Sequence, residues 1–211
     1  MKLFVAICSF IITVSSTSFA GEFNDGFNTS LSFNQNTKMS TGGGWYIEPR
    51  VGVNYVTNTS TEGYTVEYDA GISFGLGFGT QIQNGLEFRF DLGYIRNDID
   101  TITNEGSGIS AAPDVEFTQI PFMFNLIWSP SNQPDLKPYL GLGLGAVRGE
   151  YESNAFISSD TEWALAGKIM AGARIDFSSS STFSVGYTFT LANYDDTIDN
   201  HTVGIGFQFK F

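Results

Sequence analysis

The chain has 211 residues, 42% hydrophobic and 15% aromatic, with 24 Gly, 20 Phe, one Cys and one His. Ten Lys and Arg stand against 22 Asp and Glu, a formal net charge of −12. That balance excludes a nucleic-acid partner, whose phosphates need clustered Lys and Arg. The aromatic content excludes disorder throughout. After the N-terminus no apolar run of about 20 residues exists to form a membrane-spanning helix.

In chain order, Lys2, the apolar run at 3–14 (LFVAICSFIITV) and Ser18-Phe19-Ala20 predict an export signal over residues 1–20, cleaved after Ala20. The run is too short to span a bilayer. Cys8 lies within it and not after it, which argues against a lipid anchor. Cleavage removes the only Cys, so the mature chain has no disulfide and no thiol chemistry. Residues 21–44, rich in Asn, Ser, Thr and Gly, read as a flexible leader.

From Trp45 onward, apolar residues recur at every second position, the mark of strands with one apolar face. Eight strands are predicted: 45–56, 66–82, 86–97, 115–129, 137–149, 163–177, 182–193 and 200–211. In the second, Ile72, Phe74, Leu76 and Phe78 oppose Gly71, Ser73, Gly75, Gly77 and Gly79. In the fifth, Leu140, Leu142, Leu144 and Ala146 oppose Gly141, Gly143 and Gly145. In the last, Val203, Ile205, Phe207, Phe209 and Phe211 oppose Thr202, Gly204, Gly206, Gln208 and Lys210. Such strands exceed the usual globular length of about five or six residues and match the roughly 9–11 that a tilted bilayer crossing requires. A soluble β-sandwich also alternates, but its polar face must be well solvated, and here that face is glycine-rich, as a narrow lumen would be. The even strand count returns both termini to one side. The predicted fold is therefore all-β: an eight-stranded antiparallel up-and-down transmembrane β-barrel over residues 45–211.

The connections fall into two sets. Gln83-Asn84-Gly85 carries the Asn-Gly hairpin signal, and 130–135 and 178–181 are compact. The other set, 57–65, 98–114, 150–162 and 194–199, is generally longer and holds twelve acids with no Lys or Arg. With the N-terminus in the periplasm, these longer connections face outside. They read as a solvated loop set, or more sharply as one bridged to anionic surface lipid by divalent cations, although no spacing matches a dedicated Ca²⁺ loop.

If the bulky faces meet lipid, parity points Glu48, Arg50, Glu87, Arg89, Asp91, Lys168, Arg174, Asp176 and Lys210 inward. Glu67 and Asp69 share that parity nearer the outer rim. On the lipid face a Lys or Arg would cost roughly 2–4 kcal/mol at the midplane. An eight-stranded interior is just filled by side chains, so the expectation is a packed ion-pair network with inward glycines making room for Arg and Lys. Aromatic girdles are expected from Trp45, Trp128, Tyr139, Phe177, Phe183 and Phe211 at the inner side and from Tyr55, Tyr68, Tyr94, Trp163 and Tyr194 at the outer. Pro49 and Pro121 lie within strands, where bulges are expected.

Trp45-Tyr46 followed by Gly52, KPYLGLGLGAV at 137–147, AGARIDF at 171–177, SVGYTFT at 184–190 and the ending GIGFQFKF together resemble the small outer-membrane β-barrel family, both the OmpA-like transmembrane domain and OmpX-like proteins. The resemblance implies a location in a Gram-negative cell outer membrane, insertion from the periplasm and surface exposure. Val203, Ile205, Phe207, Phe209 and Phe211 are similar to the terminal signal read by the barrel-assembly machinery. The chain departs from full-length OmpA in lacking a C-terminal peptidoglycan-binding domain, which puts cell-wall anchoring in doubt.

Some small barrels of this kind are lipid-modifying enzymes with Ser, His and acid groups near the outer rim. Here the only His is His201, near Asp199, with Val and not Ser at position 203. No clustered His, Cys or carboxylates suggest a transition-metal site, and no Gly-rich phosphate loop precedes a helix. The sequence reads as a non-enzymatic, cofactor-free, monomeric surface protein in contact with outer-membrane lipid, acting in envelope structure, adhesion or host contact through an extracellular ligand or surface. A narrow porin and a lipid-modifying enzyme are the alternatives.

Overall fold

A computed structural model describes residues 44–211, apart from 62, 83–84, 113–114, 131–135, 154–155 and 195–196. The expected export signal, and the leader apart from Gly44, lie outside the described residues. The strands are β1 (Trp45–Val56), β2 (Thr59–Thr61), β3 (Tyr64–Tyr68), β4 (Gly71–Gln81), β5 (Leu86–Asn104), β6 (Ile109–Ala111), β7 (Val115–Trp128), β8 (Lys137–Ser153), β9 (Phe156–Asp176), β10 (Ser181–Asn193) and β11 (Thr197–Lys210).

Eight of these close a cylinder. β1 pairs with β4, β4 with β5, β5 with β7, β7 through β11 pair in order, and β11 returns to β1, all antiparallel. At the closing seam Val53 lies opposite Val203 and Ile47 opposite Phe209. Closure removes the sheet edges, so the ladder is satisfied within the wall. Along β11, Val203, Ile205, Phe207 and Phe209 are 43–53% exposed, whereas Asn200 and Gln208 are each 1% exposed. The bulky face therefore points outward. Phe74, Leu76 and Phe78 on β4, Phe124 and Leu126 on β7, and Leu140 and Leu142 on β8 do the same. An apolar band this continuous is not a water-facing surface; a hydrocarbon slab about 25 Å tall suits it.

The structure departs from the sequence reading in five places. The expected strand 66–82 is broken into β3 and β4. The register shifts at Glu67/Tyr68, and the Asp69 carbonyl accepts the Asn97 side-chain amide at 2.9 Å. Two of the expected long loops are largely ladder. β5 runs on to Asn104 with β3 and β6 along its sides, and β8 and β9 remain paired beyond residue 150. Beyond the hydrocarbon the outward positions need not be apolar, so the alternation fades while backbone pairing continues.

Neither proline makes a bulge. Pro49 lies in register opposite Leu76 and Pro121 opposite Val147. β1 pairs with β11 on either side of Pro49 without a change of register, so the missing N–H removes a bond without inserting a residue. Three expected girdle residues lie inside: Tyr139 is 9% exposed, and Tyr68 and Tyr194 pack on a buried cluster of Val56, Phe117 and Ile198. Strand parity, not position along the strand, decides this; Tyr139 shares the inward parity of Gly141 and Gly143. The outward rings are Trp45, Trp128, Phe177 and Phe211 at the end bearing the termini, and Tyr55, Tyr94 and Trp163 toward the far end. Lastly, the bore is not uniformly polar. Met123, Val147, Ala164, Ala166 and Ala192 form one apolar cluster within it, and Ile127, Tyr139 and Met170 form another.

Candidate functional site

The interior is built in levels set by strand register. Glu48 of β1 lies opposite Gly77 of β4, and Gly77 lies opposite Asp91 of β5. A Cβ at Gly77 would come within 2.8 Å of Arg89 Cδ. The missing side chain is what lets Arg89 reach across to β1.

Arg89 Nη1 contacts Glu48 Oε2 at 2.7 Å and its Nε contacts Asp91 Oδ1 at 2.8 Å. Asp91 also holds Arg50 Nη2 at 2.7 Å and Lys168 Nζ at 2.7 Å. Ser184 Oγ donates to the second oxygen of Glu48 at 2.8 Å. Glu48, Arg89, Asp91 and Lys168 are all 9% exposed or less. Charges at such depth persist because each has an opposite charge and hydrogen bonds in reach.

Toward the termini, Arg174 Nη1 meets Glu87 Oε1 at 2.5 Å, and the Tyr46 hydroxyl donates to the other Glu87 oxygen at 2.8 Å. The Arg174 guanidinium lies 4.7 Å from the centre of the Tyr139 ring, a cation–π contact. At the rim, Asp176 is held by Lys137 at 2.5 Å, by Lys210 at 3.4 Å and by the Thr182 hydroxyl at 2.5 Å.

All nine charged residues singled out from parity thus lie inside. Five meet in one central cluster, Glu87 and Arg174 form the next pair, and Asp176 and Lys210 lie at the rim. The reading omitted Lys137, whose parity with Tyr139 points it inward. Inward glycines accommodate rings as well as cations: a Cβ at Gly186 would fall 2.1 Å from the Tyr139 hydroxyl.

Away from the termini lies a level of uncharged amides that the charge-centred reading missed. Asn54 Nδ2 donates to Asn97 Oδ1 at 2.9 Å and to Asn200 Oδ1 at 3.2 Å. Gln119 and Asn200 exchange hydrogen bonds at 3.0 and 3.1 Å, and Thr202 Oγ1 donates to Asn54 Oδ1 at 2.7 Å. The four carboxamides come from β1, β5, β7 and β11 and are each 1% exposed or less. Inward parity was the signal that would have found them. Beyond them Phe117 stacks on Tyr151 at 4.4 Å and packs against Tyr68 and Tyr194.

Two voids, of about 100 and 180 Å³, adjoin these levels. The smaller lies beside the central cluster and the larger at the terminus rim.

On the outer wall, His201 Nδ1 lies 2.7 Å from the Tyr187 hydroxyl and Nε2 lies 3.2 Å from Thr57 Oγ1. Its ring also lies 5.1 Å from that of Phe189. These partners are a phenol and an alcohol, without a carboxylate to orient the imidazole as a base. Val203, Ile205, Phe207, Phe209 and Phe211 are exposed on the outer face. Far-end acids are partly offset by arginines: Arg96 contacts Glu116, and Arg148 lies 2.9 Å from Glu150. Among the described residues no group of His, Cys, Asp and Glu could hold a metal ion.

The fold is shared with solved membrane proteins. Neisserial surface protein A superposes with a TM-score of 0.62 at 17% identity, over 79% of this chain and 97% of that one. OprG from Pseudomonas aeruginosa superposes with a TM-score of 0.53 at 13% identity, over 80% of this chain and 96% of that one. No curated protein matches by sequence. The model of the outer membrane protein beta-barrel domain matches residues 6–211. With its closed wall, outward aromatics and charged bore, the chain belongs to that outer-membrane β-barrel family.

Proposed function

We propose that this protein is a non-enzymatic surface barrel, with the termini in the periplasm, the apolar wall in outer-membrane lipid and the far-end hairpins outside the cell. The terminal phenylalanine pattern over Val203–Phe211 serves its delivery to the barrel-assembly machinery, and the folded protein works as a monomer. The acidic far end makes the contacts that give it a role in adhesion, envelope structure or host contact.

The observation that carries this reading is the filled bore. An ion-pair level, a carboxamide level and an aromatic level succeed one another along the bore. A filled bore leaves the exposed hairpins as the place for specific contact. The surroundings of His201 favour a structural role over hydrolysis, since Tyr187 and Thr57 occupy both ring nitrogens.

Two measurements test the reading together. Purified protein in planar bilayers should show no stable large openings. Cells carrying Asp98→Asn, Asp100→Asn, Glu105→Gln and Glu116→Gln together, which leave Tyr151, Tyr194 and Ile198 in place, should keep the folded barrel and lose adherence to matrix-coated surfaces. Sustained conductance would instead favour a narrow porin, and undiminished adherence would remove the far end from the function.

A further inference from the structure

The larger void, about 180 Å³, is walled by Lys137, Arg174, Asp176, Thr182, Gln208 and Lys210, with Glu87 behind them. Its chemistry is incompletely paired. Arg174 is 3% exposed; its Nη1 is taken by Glu87, while among the described residues no hydrogen-bond acceptor meets its buried Nε and Nη2. These two N–H groups form one edge of the guanidinium, the fork that grips two oxygens of a single oxyanion.

Gln208 is 1% exposed, and among the described residues neither its Nε2 nor its Oε1 has a hydrogen-bond partner. Buried donors and acceptors left in this state are rare and costly. Arg174 and Gln208 stand on the walls of one polar void, so a single guest can satisfy both. The charge agrees: among the described residues that line the void, Lys137, Arg174 and Lys210 stand against Asp176 and Glu87, one cation in excess. Lys210, at 3.4 Å from Asp176, is the more loosely held of the two rim lysines.

We infer that this void is a binding site for a phosphate group in its protonated monoanionic or dianionic form. The Arg174 fork takes two of its oxygens and Gln208 Nε2 donates to another. The phosphate's own hydroxyl donates to Gln208 Oε1, and Lys210 neutralises the remaining charge. A carboxylate satisfies the fork but has no proton to give the glutamine oxygen, which is why phosphate is the guest of choice. The site admits inorganic phosphate as either anion, and the phosphate end of a small monoester only as its monoanion, which keeps the one P–OH that the scheme needs. It is independent of the contacts proposed for the far end.

The test is an NMR titration of the folded protein in detergent micelles. The Gln208 side-chain amide and the Arg174 Nε–H signals are followed during addition of sodium phosphate, glycerol phosphate, sodium acetate or sodium chloride at matched ionic strength. Phosphate should move both signals to saturation and chloride should not; glycerol phosphate matching inorganic phosphate would show that monoesters enter. Gln208→Leu and Lys210→Gln lie at the rim, outside the central ion cluster; each should weaken phosphate by roughly tenfold or more, Gln208→Leu through the loss of its two hydrogen bonds to the anion and Lys210→Gln through the loss of its charge. The inference is overturned if phosphate gives no saturating shift, if acetate binds as tightly, or if both variants bind phosphate as the unaltered protein does.

Discussion

Asp91 bears the greatest electrostatic demand in the bore, and its replacement gives the sharpest test of the interior. Its two oxygens face Arg50, Arg89 and Lys168 at 2.7, 2.8 and 2.7 Å. At an effective dielectric of about 20, each contact is a gross attraction of roughly 6 kcal/mol, offset by the several kcal/mol per ion of lost hydration. Asp91→Asn keeps the shape and removes the charge. The central levels then hold Arg50, Arg89, Lys168 and Arg174 against Glu48 and Glu87 alone. Stranding buried charge in this way costs about 3–5 kcal/mol. Urea unfolding in micelles, followed by the fluorescence of Trp45, Trp128 and Trp163, measures the loss. Lys168→Met removes one stranded cation at similar volume, so the double variant should be more stable than the sum of the single changes by at least about 1 kcal/mol. A single variant within about 1 kcal/mol of the unaltered protein, or strict additivity in the cycle, would refute an interior held by ion pairing.

Gly186→Ala should destabilise by about 1–3 kcal/mol, because its Cβ would meet the Tyr139 hydroxyl at 2.1 Å. Tyr139→Phe in the same chain should recover part of the loss in the urea midpoint, and no recovery would point to a backbone clash instead. Asn54→Leu removes one hydrogen bond each from Asn97, Asn200 and Thr202 and should cost about 2–3 kcal/mol, whereas Thr57→Ala on the outer wall should stay within about 0.5 kcal/mol; equal effects would deny the carboxamide level a structural role. At the far end, burial, reinforced by Glu162, holds the Tyr194 phenol above the ordinary tyrosine range. The unfolded chain therefore releases this proton first, and stability should fall as pH rises past about 10. Tyr194→Phe should flatten that alkaline slope in urea midpoints measured across the pH range, and an unchanged slope would contradict the burial argument.

The wall was legible because period-two alternation is enforced at every residue of a strand between hydrocarbon and bore. One slip exchanges the two faces, so Val203 to Phe209 and Ile72 to Phe78 could be read without coordinates. Charges were legible for the same reason: no Lys or Arg can stand on the apolar face cheaply, which fixes the side on which Arg89 and Lys168 lie. The uncharged part of the bore carried no such penalty. Asn54, Asn97, Gln119 and Asn200 look like ordinary strand-end polar residues until parity brings them to one level. Tyr139 and Tyr194 belong to a residue type equally at home in a girdle or a bore. Pro49 and Pro121 misled because a lost donor was equated with an inserted residue, whereas one missing ladder bond leaves the register intact.

The levels of the bore also differ in what they demand of the wall. The ion pairs draw on β1, β5 and β9, the carboxamides on β1, β5, β7 and β11, and the aromatic group on β1, β3, β7, β8 and β11 together with Tyr194. β1 and β5 take part in both polar levels although they are not neighbours, since β4 lies between them. That intervening strand supplies Gly71, Gly77 and Gly79, the gaps through which Asn97, Arg89 and Tyr46 pass. The glycine repeat of β4 is therefore a condition for cross-bore bonding: a larger residue at Gly77 would separate Glu48 from Arg89 while leaving the outward face of Leu76 and Phe78 unchanged. The stability of the bore and the lipid-compatible character of the wall are thus set by alternate residues of the same strand. In the far-end hairpins the outward constraint lapses, while Tyr68, Tyr151 and Tyr194 still answer to the packing around Phe117.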